Sequence, residues 1–396
     1  MMFKSKKLFL LLMLLLGILT LPGCRAGLGA IPRGWSGVTI VDDILFVGSM
    51  GGELVAVNAV DGSRPWEPVL LESPVSVSGG FLSCGPAATT VVVYGTPLVV
   101  EDSIYIGGYI PLSGRSNGMV FSLDLGRDEP SWLYPKQGVL NGGIVGGFAF
   151  SKGSIYFASS DGNVYALEAK GLFEKWEKPF ETGDKIWATP AIDGDILYIG
   201  SFDKKLYALN ANDGKEKWQF DTEGAIVSTP LIYDGAVYFG SFDRYFYALN
   251  VSDGGLKWKF MADNWFWAKP VIHNGVVYVS NLDGKVYALD AESGDNPDWF
   301  DLGSPISSTP VLVGNLLIVA TEEGKIYSIN TSNNQQNLLV DLKKDETADE
   351  KRKKKVTASL AADKGIVYIH TAEDVLYALN VETRLDVWRP IKLSGK

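Results

Sequence analysis

Apolar positions along this chain fall into short alternating runs rather than helical stripes. Val237-Tyr238-Phe239 and Tyr247-Ala248-Leu249 mix aromatic and branched side chains, and Asp234-Gly235 and Asp253-Gly254 punctuate them. Such residues on a period of two suit buried strands, and Asp-Gly suits tight hairpin turns. The pattern predicts four strands here, at Leu231–Tyr233, Ala236–Gly240, Phe246–Asn250 and Leu256–Phe260. No convincing amphipathic helix appears. One segment departs: Leu8 to Leu21 is an uncharged apolar run of 14 residues directly after Lys4, Lys6 and Lys7.

The four-strand unit recurs. Pro190, Pro230, Pro270 and Pro310 are spaced by 40 residues, as are Tyr207, Tyr247, Tyr287 and Tyr327. Ala or Ser landmarks at Ala56, Ser122, Ala166, Ala208, Ala248, Ala288, Ser328 and Ala378 define eight units. Ten residues after most landmarks stands a Trp: Trp66, Trp132, Trp176, Trp218, Trp258 and Trp388; Trp299 follows one residue late, and Leu338 stands in its place in the seventh unit. One four-stranded sheet cannot bury both its faces, so sheets repeating at about 40 residues must stack on their neighbours. The expected fold is all-β, an eight-bladed β-propeller of four-stranded antiparallel blades.

The run Ala208 to Trp218, Ala-Leu-Asn-Ala-Asn-Asp-Gly-Lys-Glu-Lys-Trp, resembles the tryptophan-docking motif of the quinoprotein-like, or PQQ-repeat, propellers. The resemblance implies that Trp66, Trp132, Trp176, Trp218, Trp258, Trp299 and Trp388 dock between adjacent blades as structural residues. An indole of about 150–250 Å² can supply several kcal/mol of burial to such a joint.

The chain begins like a secretory signal, and 14 apolar residues fall short of the roughly 20 that span a bilayer as a helix. Leu21-Pro22-Gly23-Cys24 resembles a bacterial lipobox. This gives 1–23 as signal peptide, 24–35 as a linker lipidated at Cys24, and 36–396 as a single propeller, exported and lipid-anchored on the extracytoplasmic side of the envelope. Plain secretion and an uncleaved anchor are the alternatives. The net charge of −10 becomes −13 once Lys4, Lys6 and Lys7 are removed, so nucleic acid is not an expected partner. Two Cys and two His leave too few soft ligands for a closed zinc or iron–sulfur site. Cys84, in a Gly-rich insertion, reads as an ordinary free thiol, and His273 and His370 have no repeat-wide partner that would suggest catalysis.

Departures from the 40-residue period favour one rim. Residues 72–95, 109–117, 136–146 and 343–355 all fall between strands that end on the same side of a propeller. Trp187 and Trp267, three residues before Pro190 and Pro270, belong to that rim, as does Trp265; Lys269 replaces the Thr of Thr189, Thr229 and Thr309. These four are the candidate binding rim. Either the tryptophans fill the channel mouth or pack on a loop, or they form an aromatic platform with a cation beside it, exposed Trp being a common hot-spot residue. The charged segment Lys343 to Lys355 reads as a solvated loop, with contact to an anionic surface as its alternative.

Lipobox, eight units and length are similar to the propeller lipoproteins of the outer-membrane β-barrel assembly (Bam) complex. That resemblance implies a non-catalytic scaffold for envelope proteins, without cofactor or metal. The alternatives are a PQQ-dependent alcohol or sugar dehydrogenase, which would need the quinone with calcium, and an extracytoplasmic ligand sensor.

Overall fold

The structure, a computed structural model, describes residues 34–73, 91–112, 115–125, 130–295, 298–342 and 354–394. The leader with Cys24, Cys84 and residues 343–353 of the charged segment lie outside the described residues. Eight antiparallel sheets follow one another along the chain, each made of consecutive segments. The blades span 38–70, 92–134, 149–181, 191–221, 231–261, 271–301, 311–341 and 361–392, and the described residues contain no helix. The second and third blades each add one short strand to the basic four.

The fifth blade illustrates how the pattern becomes structure. Its strands are Leu231–Tyr233, Ala236–Gly240, Tyr245–Asn250 and Leu256–Met261. Asp234 and Gly235 both take positive φ, 46° and 71°, the geometry of a type I′ hairpin turn. Pairing places Leu231 opposite Tyr238, Tyr238 opposite Ala248 and Ala248 opposite Trp258, one row of side chains across the sheet. That row packs on Val277, Val279 and Leu289 of the sixth blade. The other face, with Val237, Phe239 and Leu249, packs on Leu206 and Trp218 of the fourth. Alternation therefore feeds two different interfaces from one strand, which explains why the middle strands carry almost no polar side chain.

The landmark alanine has a steric reason. The Tyr238 and Trp258 rings lean toward each other over Ala248, centroids 5.8 Å apart, and both donate to the Ala291 carbonyl of the next blade, at 2.9 and 3.1 Å. Tyr156 and Trp176 share Ala211 in the same way, both at 3.0 Å. Trp218 donates to Val251 at 3.0 Å and Trp388 to Ala59 at 3.2 Å. Against each of these indoles lies the turn glycine of the next blade. A Cβ on Gly294 would come within 2.5 Å of Trp258, and that residue has φ +77°.

The other three tryptophans do not repeat this joint. Trp66 packs with Phe46, at 5.8 Å between centroids, in the core shared by the first and second blades. Trp299 is 55% exposed, contrary to the docking expected of it. Its one-residue delay puts Asp298 opposite Ala288 and Trp299 opposite Tyr287, and a one-residue shift turns a strand side chain to the other face. Trp132 keeps its register opposite Ser122, yet it is 46% exposed. In the third blade Gly171 faces the Phe173 ring instead of an indole, and Leu172 with Tyr134 fills that interface. In the seventh blade Leu338 lies opposite Tyr327 and is 46% exposed.

The ring closes without exchanging strands between its ends. Trp388 docks on the first blade, Arg64 donates to the carbonyls of Lys392 and Leu393, and Lys364 pairs with Asp43. At the core of the seam sits buried His370, with Nδ1 2.8 Å from the Ser36 carbonyl and Nε2 3.0 Å from Asp374 Oδ1. Asp374 also accepts from the backbone N–H groups of Met50 and Ser394.

Candidate functional site: an aromatic rim on the axial channel

The segments leading into the innermost strands alternate between core and channel. Ile186, Ile226, Phe266, Ile306 and Val356 are fully buried between blades, and the residue after each faces the axis. The result is a collar at the channel mouth, aromatic at Trp35, Tyr94, Trp187 and Trp267 and small at Val145, Val227, Ser307 and Thr357. Two residues further along each segment lies a second ring. It carries hydroxyls at Thr96, Thr189, Thr229, Thr309 and Ser359, glycine at Gly37 and Gly147, and lysine at Lys269. Trp187 and Trp267, two blades apart, come within 6.3 Å of each other across the short side chain of Val227.

Outside the collar the aromatic surface continues. Phe242 stacks on Trp265 at 4.7 Å and 16°, and on Trp267 at 5.7 Å and 27°. Phe202 meets Trp187 edge-on at 4.8 Å, and the Lys185 ammonium lies 4.4 Å from the Phe202 ring centre, a cation–π contact. Backbone bonds hold the loops together: Phe242 N donates to Ala225 O, Phe202 N to Lys185 O and Leu282 N to Trp265 O. Trp265 is 46% exposed at the outer edge.

The described parts of three insertions converge on the opposite side of the mouth. The second blade's central strands, Ser103–Leu112 and Arg115–Asp124, rise as a long hairpin. Val92–Val93 pairs with it, and Leu140 bridges to Gly118. Tyr94 and Tyr109 then pack at 5.5 Å, and Trp35 meets Tyr94 at 4.5 Å. Burial and the neighbouring Tyr109 raise the Tyr94 pKa. A cavity of about 270 Å³ opens between this group and Lys185 and Trp187.

Of the sequence candidates, the structure brings Trp187, Trp265 and Trp267 into one aromatic surface and sets Lys269 below it, inside the channel. Phe202, Phe242 and Lys185 were not picked out from the sequence. The signal was available, since Phe202 and Phe242 hold one repeat position after the second strand. From the charged segment, Lys355 pairs at 2.7 Å with Glu322, whose other oxygen accepts from Ser307 at 2.8 Å. His273 lies 3.3 Å from Asn315 away from the rim, and His370 is part of the ring seam.

The profile of the PQQ-repeat family described as outer membrane protein assembly factor BamB matches residues 33–178 and 173–390. Together these matches take in nearly the whole propeller. The chain belongs to this BamB family. Relatives carrying that name include a protein of Marinobacter adhaerens, 31% identical over 140 residues, which is 34% of this chain and 31% of the relative. A second, of Shewanella oneidensis, is 26% identical over 195 residues, 46% of this chain and 42% of the relative. The matched stretches thus span less than half of either relative. Among solved structures, BamB of Moraxella catarrhalis superposes with a TM-score of 0.66 at 16% identity, over 86% of this chain and 94% of that one. The computationally designed protein Ika8 gives 0.67 at 14% identity, over 88% and 97%. At such identities the two structures agree with the BamB-family chain in fold alone.

Proposed function

We infer that this BamB-family propeller is a non-catalytic scaffold in outer-membrane protein assembly, and that it holds an envelope protein on its insertion-bearing rim. The observation that carries the site is the continuous aromatic surface from Phe202 through Trp187, Trp267 and Phe242 to exposed Trp265. Stacked rings lose little side-chain entropy on binding, and aromatic anchors dominate interface energies. The relatives' shared name, outer membrane protein assembly factor, supplies the class of process.

In this reading the protein works without a cofactor. Calcium takes several carboxylate or carbonyl oxygens, and the channel-mouth cavity has no Asp or Glu in its lining. That donor set does not fit the calcium-assisted quinone of the dehydrogenases.

The reading extends to export and to a lipid on Cys24 that holds the propeller at the membrane. Cys24→Ser is expected to abolish incorporation of labelled palmitate and to move the protein to the soluble envelope fraction; unchanged labelling would remove the anchor.

Capture from detergent-solubilised envelope tests the rim. The double variant Trp265→Ala, Trp267→Ala is expected to lose the partner set that the wild type retains, with its circular dichroism unchanged. Equal capture by both proteins would refute the rim as the binding surface.

A further inference from the structure

Lys269 is the one charged member of the second ring, where its neighbours are hydroxyls and glycines. Water reaches the side chain along the bore, but protein surrounds the bore on every side, and this enclosure lowers the lysine pKa. Among the described residues its ammonium has no hydrogen bond, ion pair or ring contact. Asp193 and Asp234 share a cavity of about 470 Å³ with Lys269, on the side of the turns of the opposite rim. The cavity at Lys269 has about 100 Å³, several times what one water requires. Thr189 Oγ1 already accepts from Gly147 N at 2.7 Å, so its own proton is left to donate.

On the side of the collar, the cavity lined by Lys269 and the hydroxyl ring holds no acidic residue. Lys269 keeps contact with the water of the bore, and an ammonium together with hydroxyl donors on the same ring makes the shell that an oxyanion needs. We propose that the axial channel binds a small oxyanion, of carboxylate or phosphate type, between the Lys269 ammonium and the hydroxyls of Thr189, Thr229, Thr309 and Ser359. The collar of Trp35, Tyr94, Trp187 and Trp267 stands above it and would report its arrival. This site is independent of the protein-binding rim and survives if that reading fails.

The anion could come free or as a side chain of a docked peptide, and both present the same group. The full-length protein, in detergent and at constant ionic strength, is titrated with acetate, phosphate and sulfate, and separately with an end-blocked peptide containing Glu and its Gln counterpart. Tryptophan emission and melting temperature are read. Saturable change with the free anions identifies a solute site; change with the Glu peptide alone identifies a partner's carboxylate, and either supports the proposal. Lys269→Thr restores the residue of the neighbouring units, and Lys269→Met keeps the length without the charge. Both are expected to weaken binding about tenfold or more, the effect of losing one charge-assisted contact. Lys269→Arg is expected to retain it. No saturable response from any probe, or a response unchanged in both neutral variants, would overturn the proposal.

Discussion

At Trp258 an indole, a tyrosine ring and a carbonyl of the next blade meet over one alanine, with a glycine closing the far side. Truncation leaves a cavity that the neighbouring sheets cannot fill by collapsing. Trp258→Ala is therefore expected to cost about 3–5 kcal/mol, read by chemical denaturation. Gly294 and Gly303 separate two causes, since both have positive φ, 77° and 73°, but a Cβ meets the indole only at Gly294. Gly303→Ala is expected to cost about 1–2 kcal/mol from backbone strain alone, and Gly294→Ala distinctly more. Equal losses would show that contact with the ring is unimportant. At this scale the docking role was legible wherever Trp followed Ala by ten residues and an Asp-Gly or Ser-Gly turn followed in the next unit. It was not legible at Trp132, because the change lies in the partner turn at Gly171, which belongs to another unit.

The element under most demand is the seam between the eighth blade and the first, which joins segments more than 300 residues apart. Its fully buried His370 and Asp374 occupy positions where the fourth unit has Gly200 and Lys204. Burial works against ionisation of Asp374, but hydrogen bonds from His370, Ser394 and Met50 outweigh it and hold the carboxyl below its ordinary value. A carboxyl depressed in the folded state stabilises fully above its unfolded pKa of about 3.9, and that contribution fades as pH falls through the folded value. Asp374→Ala strands three donors. It is expected to lose about 3 kcal/mol or more at neutral pH and to flatten the acid limb of the melting-temperature profile below about pH 4. A variant profile parallel to the wild type would remove Asp374 from the seam's energetics. The seam was outside the reach of repeat reasoning: a histidine without a repeat-wide partner looks isolated until the ring brings Ser36 beside it.

Across the whole molecule, the topology of a propeller decides where elaboration can accumulate. Loops joining second to third strands, and fourth to next first, share a rim, so three insertions scattered over residues 72–146 reach the same mouth as Trp187. The proposed recognition there would rest on stacked rings with few charges, and burial of rings is insensitive to ionic screening. Partner capture is accordingly expected to persist as salt is raised while failing in the Trp265→Ala, Trp267→Ala variant; capture lost to salt alone would point to Lys185 and its neighbours instead.

Local spacing determined the fold of this chain. Period-two alternation writes the strands, Asp-Gly writes the turns, and a unit of about 40 residues repeated eight times leaves each sheet two faces that only neighbours can cover. Tertiary structure decided the rest, because contacts at the seam, the collar and the hydroxyl ring each join one residue from several blades. A repeat announces what its units share, whereas a site on the axis is assembled from the ways in which they differ.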